Sequence, residues 1–205
     1  MIFPLPSTVL FPHMQLPLHI FEPRYRQMAR DALDQQRPIA MALVDGSKPD
    51  DEFGRPAVHP VVGVGRIDAR ERLPDGRYLI VLKGLARARI VAEYAPEKAY
   101  REVRAQLLED TPADPAQVAA LLETFDQLVL ALRSVNARLA KFLTTEREDH
   151  PDPGVFSFRA APVVGGAESQ QRLLEQTDVA GRLDLLVTRL AEILARASAP
   201  NMETN

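Results

Sequence analysis

The histidines and carboxylates near the start of the sequence are the first candidates for chemistry. Two imidazoles, His13 and His19, and one carboxylate, Glu22, are chemically adequate zinc ligands. They do not have the spacing of the helical HExxH motif, and the Leu-Pro-Leu segment before His19 indicates extended chain. We therefore predict no metal site, and we interpret His19 as a structural residue beside a strand.

A nucleophile or a nucleotide-binding loop would indicate an enzyme, and neither occurs in a recognisable context. The sequence has no cysteine, which excludes a thiolate nucleophile and cysteine-based zinc or iron–sulfur sites. No serine stands in a GxSxG motif, and Gly165-Gly166 is followed by Ala167-Glu168 instead of the Lys and Ser or Thr of a Walker A loop. The sequence therefore predicts a protein that is not an enzyme and uses no cofactor. An uncharacterised hydrolase is the alternative.

Three arginines, Arg24, Arg87 and Arg89, are candidates for binding an anionic group. Strand alternation places Arg87 and Arg89 on one face, which is solvated unless a partner covers it. The competing interpretation is structural, because arginine pairs with nearby carboxylates and its stem covers apolar surface. We favour the structural interpretation and retain the three arginines as candidate peptide-binding residues.

Three phenylalanines in loops or connections are candidates for contacts with a peptide. Phe53 lies in a charged loop, residues 45–60, that offers no local core. Its ring either folds back onto the strands or is an exposed anchor for a peptide. Phe156 and Phe158, in the connection before the last helices, raise the same two possibilities. We predict all three as peptide-binding residues.

The charge distribution argues against nucleic acid as a partner. The net charge at pH 7 is −3, and residues 1–110 contain 16 Lys/Arg against 15 Asp/Glu. Neither half has the basic excess of a protein that neutralises a phosphate backbone. The N-terminus lacks the features of a secretory signal, and the longest apolar run, residues 39–44, is too short to cross a bilayer. We therefore expect a cytoplasmic protein that binds neither nucleic acid nor a membrane.

Apolar periodicity divides the chain near residue 110. Before this point, short apolar segments separated by Gly, Pro and Asp predict strands and turns. These segments cover residues 39–44, 61–67, 78–83, 86–91 and 100–108. Gly63 and Gly65 indicate a bulge or a close approach of backbone. The pair Glu22-Pro23 predicts the start of one helix in this half.

After residue 111 the period becomes helical. Asp114-Pro115 is typical of a helix start, and apolar residues at spacings of three and four predict one helix over residues 115–142. The polar segment 144–154 is predicted as a connection, followed by a short apolar segment and a last helix from Val179. We predict an α+β protein with a β-rich domain over residues 1–110 and a helical domain over residues 111–205.

Several motifs follow one another in the order of a known family. They are Phe3-Pro4-Leu5, Val9-Leu10-Phe11-Pro12, the segment LPLHIFEPRY at residues 16–25, Val62-Gly63-Val64-Gly65-Arg66-Ile67, Asp75-Gly76-Arg77-Tyr78, Lys83-Gly84-Leu85-Ala86-Arg87-Ala88-Arg89-Ile90, Gln171-Arg172-Leu173-Leu174-Glu175 and Arg182-Leu183. Their order and spacing resemble the N-terminal, substrate-recognition domain of Lon proteases. The resemblance covers nearly the whole chain and is strongest over residues 1–110.

The resemblance implies a PUA-like β-barrel followed by a helical bundle. In full-length Lon this domain helps to recognise unfolded or tagged proteins and assists hexamer assembly, and it also occurs as a free-standing bacterial protein. Lon's ATPase and its Ser–Lys protease dyad belong to other domains. One departure is His13, where the family more often has glycine. If that turn needs a positive φ, histidine is a less favourable occupant.

These observations together predict a non-catalytic module that binds unfolded or partly folded polypeptides. It would act as a binding protein or as an adaptor for a protease or a chaperone in protein quality control. A small-molecule or RNA-binding role, which other PUA-like barrels have, is the alternative from another class. The sequence does not indicate an oligomeric state.

Overall fold

The computed structural model describes residues 1–198, which form two compact units. Unit 1 consists of residues 1–109 and 166–175, and unit 2 consists of residues 110–165 and the chain from Gln176 onward. The prediction of a mixed α+β protein is confirmed. The division into domains at residue 110 stays a prediction, and the structure places one later segment, residues 166–175, in unit 1.

Unit 1 contains a six-stranded sheet. Its strands are β1 (Ile2–Leu5), β2 (Gln15–Ile20), β3 (Ile39–Leu43), β4 (Val61–Arg72), β5 (Tyr78–Glu93) and β6 (Val103–Leu108). The order is β1-β3-β4-β5-β2, with β6 on β5, and only the β1–β3 pair is parallel among the described strands. In this part of the chain the outer strands β1 and β2 do not pair with each other, so the strand order is open.

The helices divide between the two units. Unit 1 has α1 (Pro23–Asp34) and α5 (Ala167–Glu175); unit 2 has α2 (Pro115–Leu132), α3 (Ala137–Asp149), α4 (Pro153–Arg159), a 3-10 turn (Ala161–Val164) and α6 (Val179–Ser198). As predicted, α1 begins at Pro23, and it buries Tyr25, Met28, Ala29 and Ala32. No helix among residues 1–198 combines the length and the apolar character that crossing a bilayer requires.

Strand β5 is longer than predicted. Residues 78–83 and 86–91 were expected as two strands, but they belong to one strand of 16 residues. The register slips at this point, because Gly84 pairs with Gly65 and Ala86 with Val64, which leaves Leu85 as an extra residue. A bulge of this kind bends a strand without ending it. The first part of β5 therefore pairs with β2 and the last part with β6.

The segment around Leu10 lies directly on the backbone of the sheet, as Gly63 and Gly65 predict. A Cβ at Gly63 would overlap the carbonyl oxygen of Leu10, and a Cβ at Gly84 would overlap that of Phe11. Leu10 itself is buried in the core cluster that includes Met28. Glycine is therefore required at these positions for close approach of two backbone segments.

His13 ends this segment with a positive φ of 64°. Its N–H donates a hydrogen bond to the Gly84 carbonyl oxygen at 3.0 Å, which ties the turn to β5. The turn therefore does need the left-handed conformation, in which a Cβ is unfavourable.

Replacing His13 by glycine is expected to raise the free energy of unfolding of unit 1 by about 0.5–1 kcal/mol, because glycine adopts a positive φ without the Cβ penalty. All four tyrosines lie in unit 1, so urea unfolding followed by tyrosine fluorescence reports on this unit. His19→Gly, in the extended strand β2, is the matched control and should lower stability. An H13G protein that is no more stable than the wild type would contradict the expectation.

The prediction of one long helix over residues 115–142 is wrong, because α2 ends at Leu132 and α3 begins at Ala137, with residues 133–136 between them. Asn136 starts a new helix: its side-chain oxygen accepts a hydrogen bond from the Leu139 N–H at 3.0 Å. Both helices bury apolar stripes, so the spacing of three and four continues across the break. The predicted connection 144–154 is also wrong over most of its length, because α3 continues to Asp149. Its polar residues include Glu146, which pairs with Arg159 at 2.6 Å.

Candidate functional site

An open groove of about 570 Å³ crosses three neighbouring strands of unit 1. Its lining consists of Pro17, Leu18 and His19 from β2, Ala69, Arg70 and Glu71 from β4, and Leu79, Ile80 and Val81 from β5. The strand register sets these residues side by side, since Val81 pairs with Pro17 and Ala69, and Leu79 pairs with His19 and Glu71. Two rows of side chains therefore cross β2, β5 and β4: Pro17, Val81 and Ala69 form one, and His19, Leu79 and Glu71 form the other.

The floor of the groove is apolar. Leu79 is 41% exposed and stands in the middle strand, beside Val81. Beyond the end of β2, Phe21 is 58% exposed, and its ring centroid lies 5.8 Å from that of His19. Large apolar side chains grouped at the surface are typical of sites that bind other macromolecules.

The alternation of β5 explains why this face is apolar. Tyr78, Ile80 and Leu82 point into the core with α1, so Leu79 and Val81 must point the other way. A strand with one solvated face normally carries polar residues there, but this one carries leucine and valine. The apolar run of residues 78–82 was predicted as a strand and not as part of a site. Its alternation places Leu79 and Val81 on the solvent-facing side, and this apolar solvent-facing side is the signal that could have located the groove.

Most of the groove lining is apolar, with a few ionisable side chains among it. Its ionisable side chains are His19, Arg70 and Glu71, and it contains no serine, threonine or lysine. Among residues 1–198, no group of three or more His, Asp or Glu side chains could hold a metal ion. His19 lies within β2 and lines the groove, where the sequence suggested a structural residue. Burial of apolar surface is the main interaction that Leu79 and Val81 can offer a ligand.

Phe53 is held outward by its own loop. The side chain is 57% exposed, and the Arg55 guanidinium lies over the ring at 4.9 Å. Asp51 fixes the turn, because its carboxylate accepts hydrogen bonds from the backbone N–H groups of Phe53 and Arg55, both at 2.9 Å. Of the two possibilities that the sequence left open, the structure shows the exposed one. A contact between Phe53 and a peptide stays a prediction.

Phe156 and Phe158 are buried in unit 2. The ring of Phe156 meets that of Phe125 edge-on at 5.0 Å, and the guanidinium of Arg182 lies 4.2 Å above the ring of Phe158. Both rings therefore serve the core of the helical unit, and neither is available to a peptide in this structure. The sequence left open whether the two rings are buried or exposed, because their burial depends on helices that are distant in the chain.

The three candidate arginines have different environments. Arg24 is exposed and donates to Glu22 at 2.9 Å. Arg87 is buried and donates to the Leu174 carbonyl oxygen at 2.8 Å. The sequence predicted that this strand face is solvated unless a partner covers it, and here α5 of the same chain covers Arg87. Arg89, two residues along β5, is exposed. None of the three lines the groove. Arg24 thus pairs with a nearby carboxylate and Arg87 with a backbone carbonyl oxygen, and peptide binding by the three arginines stays a prediction.

Solved structures of Lon N-terminal domains have the same fold. The N-terminal domain of Mycobacterium avium complex Lon protease superposes with a TM-score of 0.71 at 20% identity, covering 93% of this chain and 97% of that one. The Lon N-terminal domain protein from Xanthomonas campestris gives a TM-score of 0.60 at 19% identity, covering 91% of this chain and 95% of that one. These identities support the fold alone.

Sequence comparison identifies the family. Lon protease from Trichlorobacter lovleyi is 29% identical over 200 residues, 95% of this chain and 23% of that protein. Lon protease from Xanthomonas oryzae pv. oryzae is 26% identical over 187 residues, 91% of this chain and 22% of that protein. The chain therefore spans less than a quarter of the length of these relatives. The family model of the ATP-dependent protease La (LON) substrate-binding domain matches residues 1–192, and the chain belongs to this family.

Proposed function

We propose that this chain is a non-catalytic recognition module that binds exposed apolar segments of unfolded or partly folded polypeptides. The observation that carries the proposal is the apolar floor of the groove, where Leu79 lies beside Val81 and Val81 lies between Pro17 and Ala69. Membership of a substrate-binding domain family supports it, because the relatives are proteases that must recognise polypeptides.

The geometry of the groove suits an extended chain. Successive side chains on one face of β5 are two residues, or about 7 Å, apart, which is the repeat of an extended peptide laid parallel to the strand. Two apolar side chains of such a peptide would cover Leu79 and Val81 together. β2 also ends the strand order, so its outer backbone edge has no strand partner in the described chain. Backbone hydrogen bonds at a free edge are independent of sequence, as binding to unrelated polypeptides requires.

The wider role of the module follows from its relatives and belongs to the same proposal. A protein that binds polypeptides without cutting them acts by delivering or holding them, so its partners would be a protease or a chaperone. The PUA-like barrel and the helical bundle are part of the proposal too. The bent strand β5, which pairs with β4, β2 and β6, supports a curved sheet of that kind.

Replacing Leu79 by aspartate is expected to weaken binding of an unfolded polypeptide at least about tenfold, which corresponds to about 1.4 kcal/mol. The substitution puts a charge in the middle of the apolar floor, beside Glu71, which pairs with residue 79 in the register. Binding would be measured by fluorescence anisotropy with a labelled, permanently unfolded polypeptide, for which we expect a Kd of roughly 10–100 µM.

The matched control is Leu107→Asp. Leu107 is 64% exposed on β6 of the same unit and does not line the groove, so the same change there should leave the Kd unaltered. Equal binding by L79D and wild type would place the contact elsewhere, and equal losses in L79D and L107D would indicate nonspecific adhesion. Absence of binding by the wild type at tens of micromolar would exclude the proposed function itself.

A further inference from the structure

A second cavity of unit 1, about 520 Å³ in volume, is lined by more positive than negative groups. It lies between the C-terminal end of α1 and β4. Three guanidinium groups line it, those of Arg37, Arg66 and Arg70, against the single carboxylate of Asp68. Its volume is in the range of small-molecule sites in proteins.

The local structure of β4 explains how two of these arginines reach one cavity. β4 pairs with β3 only as far as Gly65, so from Arg66 onward its edge on that side has no strand partner among the described residues. The register on the other side slips between Ile67 and Ala69, which leaves Asp68 as an extra residue. In a regular strand residues 66 and 70 share a face, but the extra residue puts them on opposite faces. Both therefore approach the cavity along the open edge, one from each face.

The existing ion pairs leave much of this positive charge uncompensated. Arg37 pairs with Glu102 at 3.0 Å. Arg66 has only a distant pair with Asp68, at 3.8 Å, and its side chain is 61% exposed. Arg70 forms no ion pair with the part of the chain that the structure describes. Guanidinium groups offer planar pairs of N–H donors that fit tetrahedral oxyanions.

We propose that this cavity binds a phosphate group, free or carried by a small molecule, with Arg66 and Arg70 as its main contacts. Because Arg37 is paired with Glu102, Arg66 and Arg70 face the single carboxylate of Asp68, and their two guanidinium groups supply the N–H donors that a tetrahedral phosphate oxyanion accepts. Leu33 and Ile67 form an apolar wall of the same cavity, where the remainder of a phosphorylated molecule would pack.

The test is isothermal titration of the whole chain with inorganic phosphate and with pyrophosphate at low ionic strength. We expect saturable binding that weakens as salt is added, because exposed charges are screened. The double variant R66Q/R70Q should weaken binding at least about tenfold, the loss expected for two charge-assisted contacts. The control R104Q/R138Q removes the same charge from two exposed arginines that do not line the cavity and should bind as the wild type does.

Three outcomes would overturn the proposal. They are the absence of saturable binding by the wild type, an equal loss in both double variants, and equally tight binding of acetate, which would mean that any anion suffices. Arg70 also lines the groove, so L79D is titrated in parallel. Unchanged phosphate binding by L79D supports a site that is independent of the groove, and its loss in L79D would contradict the assignment to this cavity.

Discussion

Replacing Arg182 by methionine is expected to destabilise unit 2 by about 3 kcal/mol or more. Arg182, on α6, is fully buried and binds both carboxylate oxygens of Asp110, at 2.8 and 2.6 Å. It also donates to the Ser157 hydroxyl oxygen at 2.8 Å and to the Gln176 carbonyl oxygen at 3.0 Å. Methionine would replace the stem of the side chain but would remove the guanidinium that donates these four hydrogen bonds.

Hydrogen exchange measured by mass spectrometry checks this expectation, because it resolves α4 and α6 from the sheet. The amides of both helices should exchange much faster in R182M, while those of β4 and β5 keep their protection. Arg138→Met is the control: Arg138 is exposed at the start of α3, where a surface change is worth within about 0.5 kcal/mol. Wild-type exchange rates for α6 in R182M would show that the buried ion pair contributes little net stability.

Replacing Gly84 by alanine is expected to destabilise unit 1 by about 3 kcal/mol, at the upper end of the range for overpacking. The new Cβ would overlap the carbonyl oxygen of Phe11. A side chain could rotate away, but a backbone carbonyl can move only with its segment. The neighbouring hydrogen bonds, Gly84 N–H to the Met14 carbonyl oxygen at 2.8 Å and His13 N–H to the Gly84 carbonyl oxygen at 3.0 Å, hold that segment in place.

Urea unfolding followed by tyrosine fluorescence measures the loss in unit 1. Gly63→Ala should behave in the same way, because its Cβ would overlap the Leu10 carbonyl oxygen. Gly46→Ala is the control: nothing lies within 4 Å of a Cβ there, so stability should be nearly unchanged. If G84A and G46A have the same unfolding midpoint, the close approach of the two backbones is not a constraint.

Features that depend on neighbouring residues were predictable from the sequence. Pro23 and the apolar residues that follow it at helical spacing predicted α1, and Gly63 indicated a close approach of backbone. Asp114-Pro115 located the start of α2, where the Asp114 side chain accepts from the Ala116 N–H at 3.0 Å. In each case one or two residues are enough to identify the local requirement, which is a helix cap, a fixed φ or the absence of a Cβ.

Features that depend on distant residues were not predictable. The break before Asn136 has the same apolar spacing on both sides, so periodicity could not reveal it. The segment around Phe156 does not show whether the ring is buried, because its contacts with Phe125 and Arg147 join residues that are distant in the chain. The candidate groove was missed for the same reason, because the exposure of Leu79 depends on which face of β5 meets α1.

The position of α5 in the chain determines the order in which the units can be completed. Residues 166–175 belong to unit 1, where the Gln171 side chain donates to the Val61 carbonyl oxygen at 2.9 Å and the Leu174 carbonyl accepts from Arg87. These contacts join residues about 90–110 positions apart, and such pairings form late because a long loop must close first. During synthesis, therefore, residues 110–165 of unit 2 are translated before α5 can pack on the sheet of unit 1.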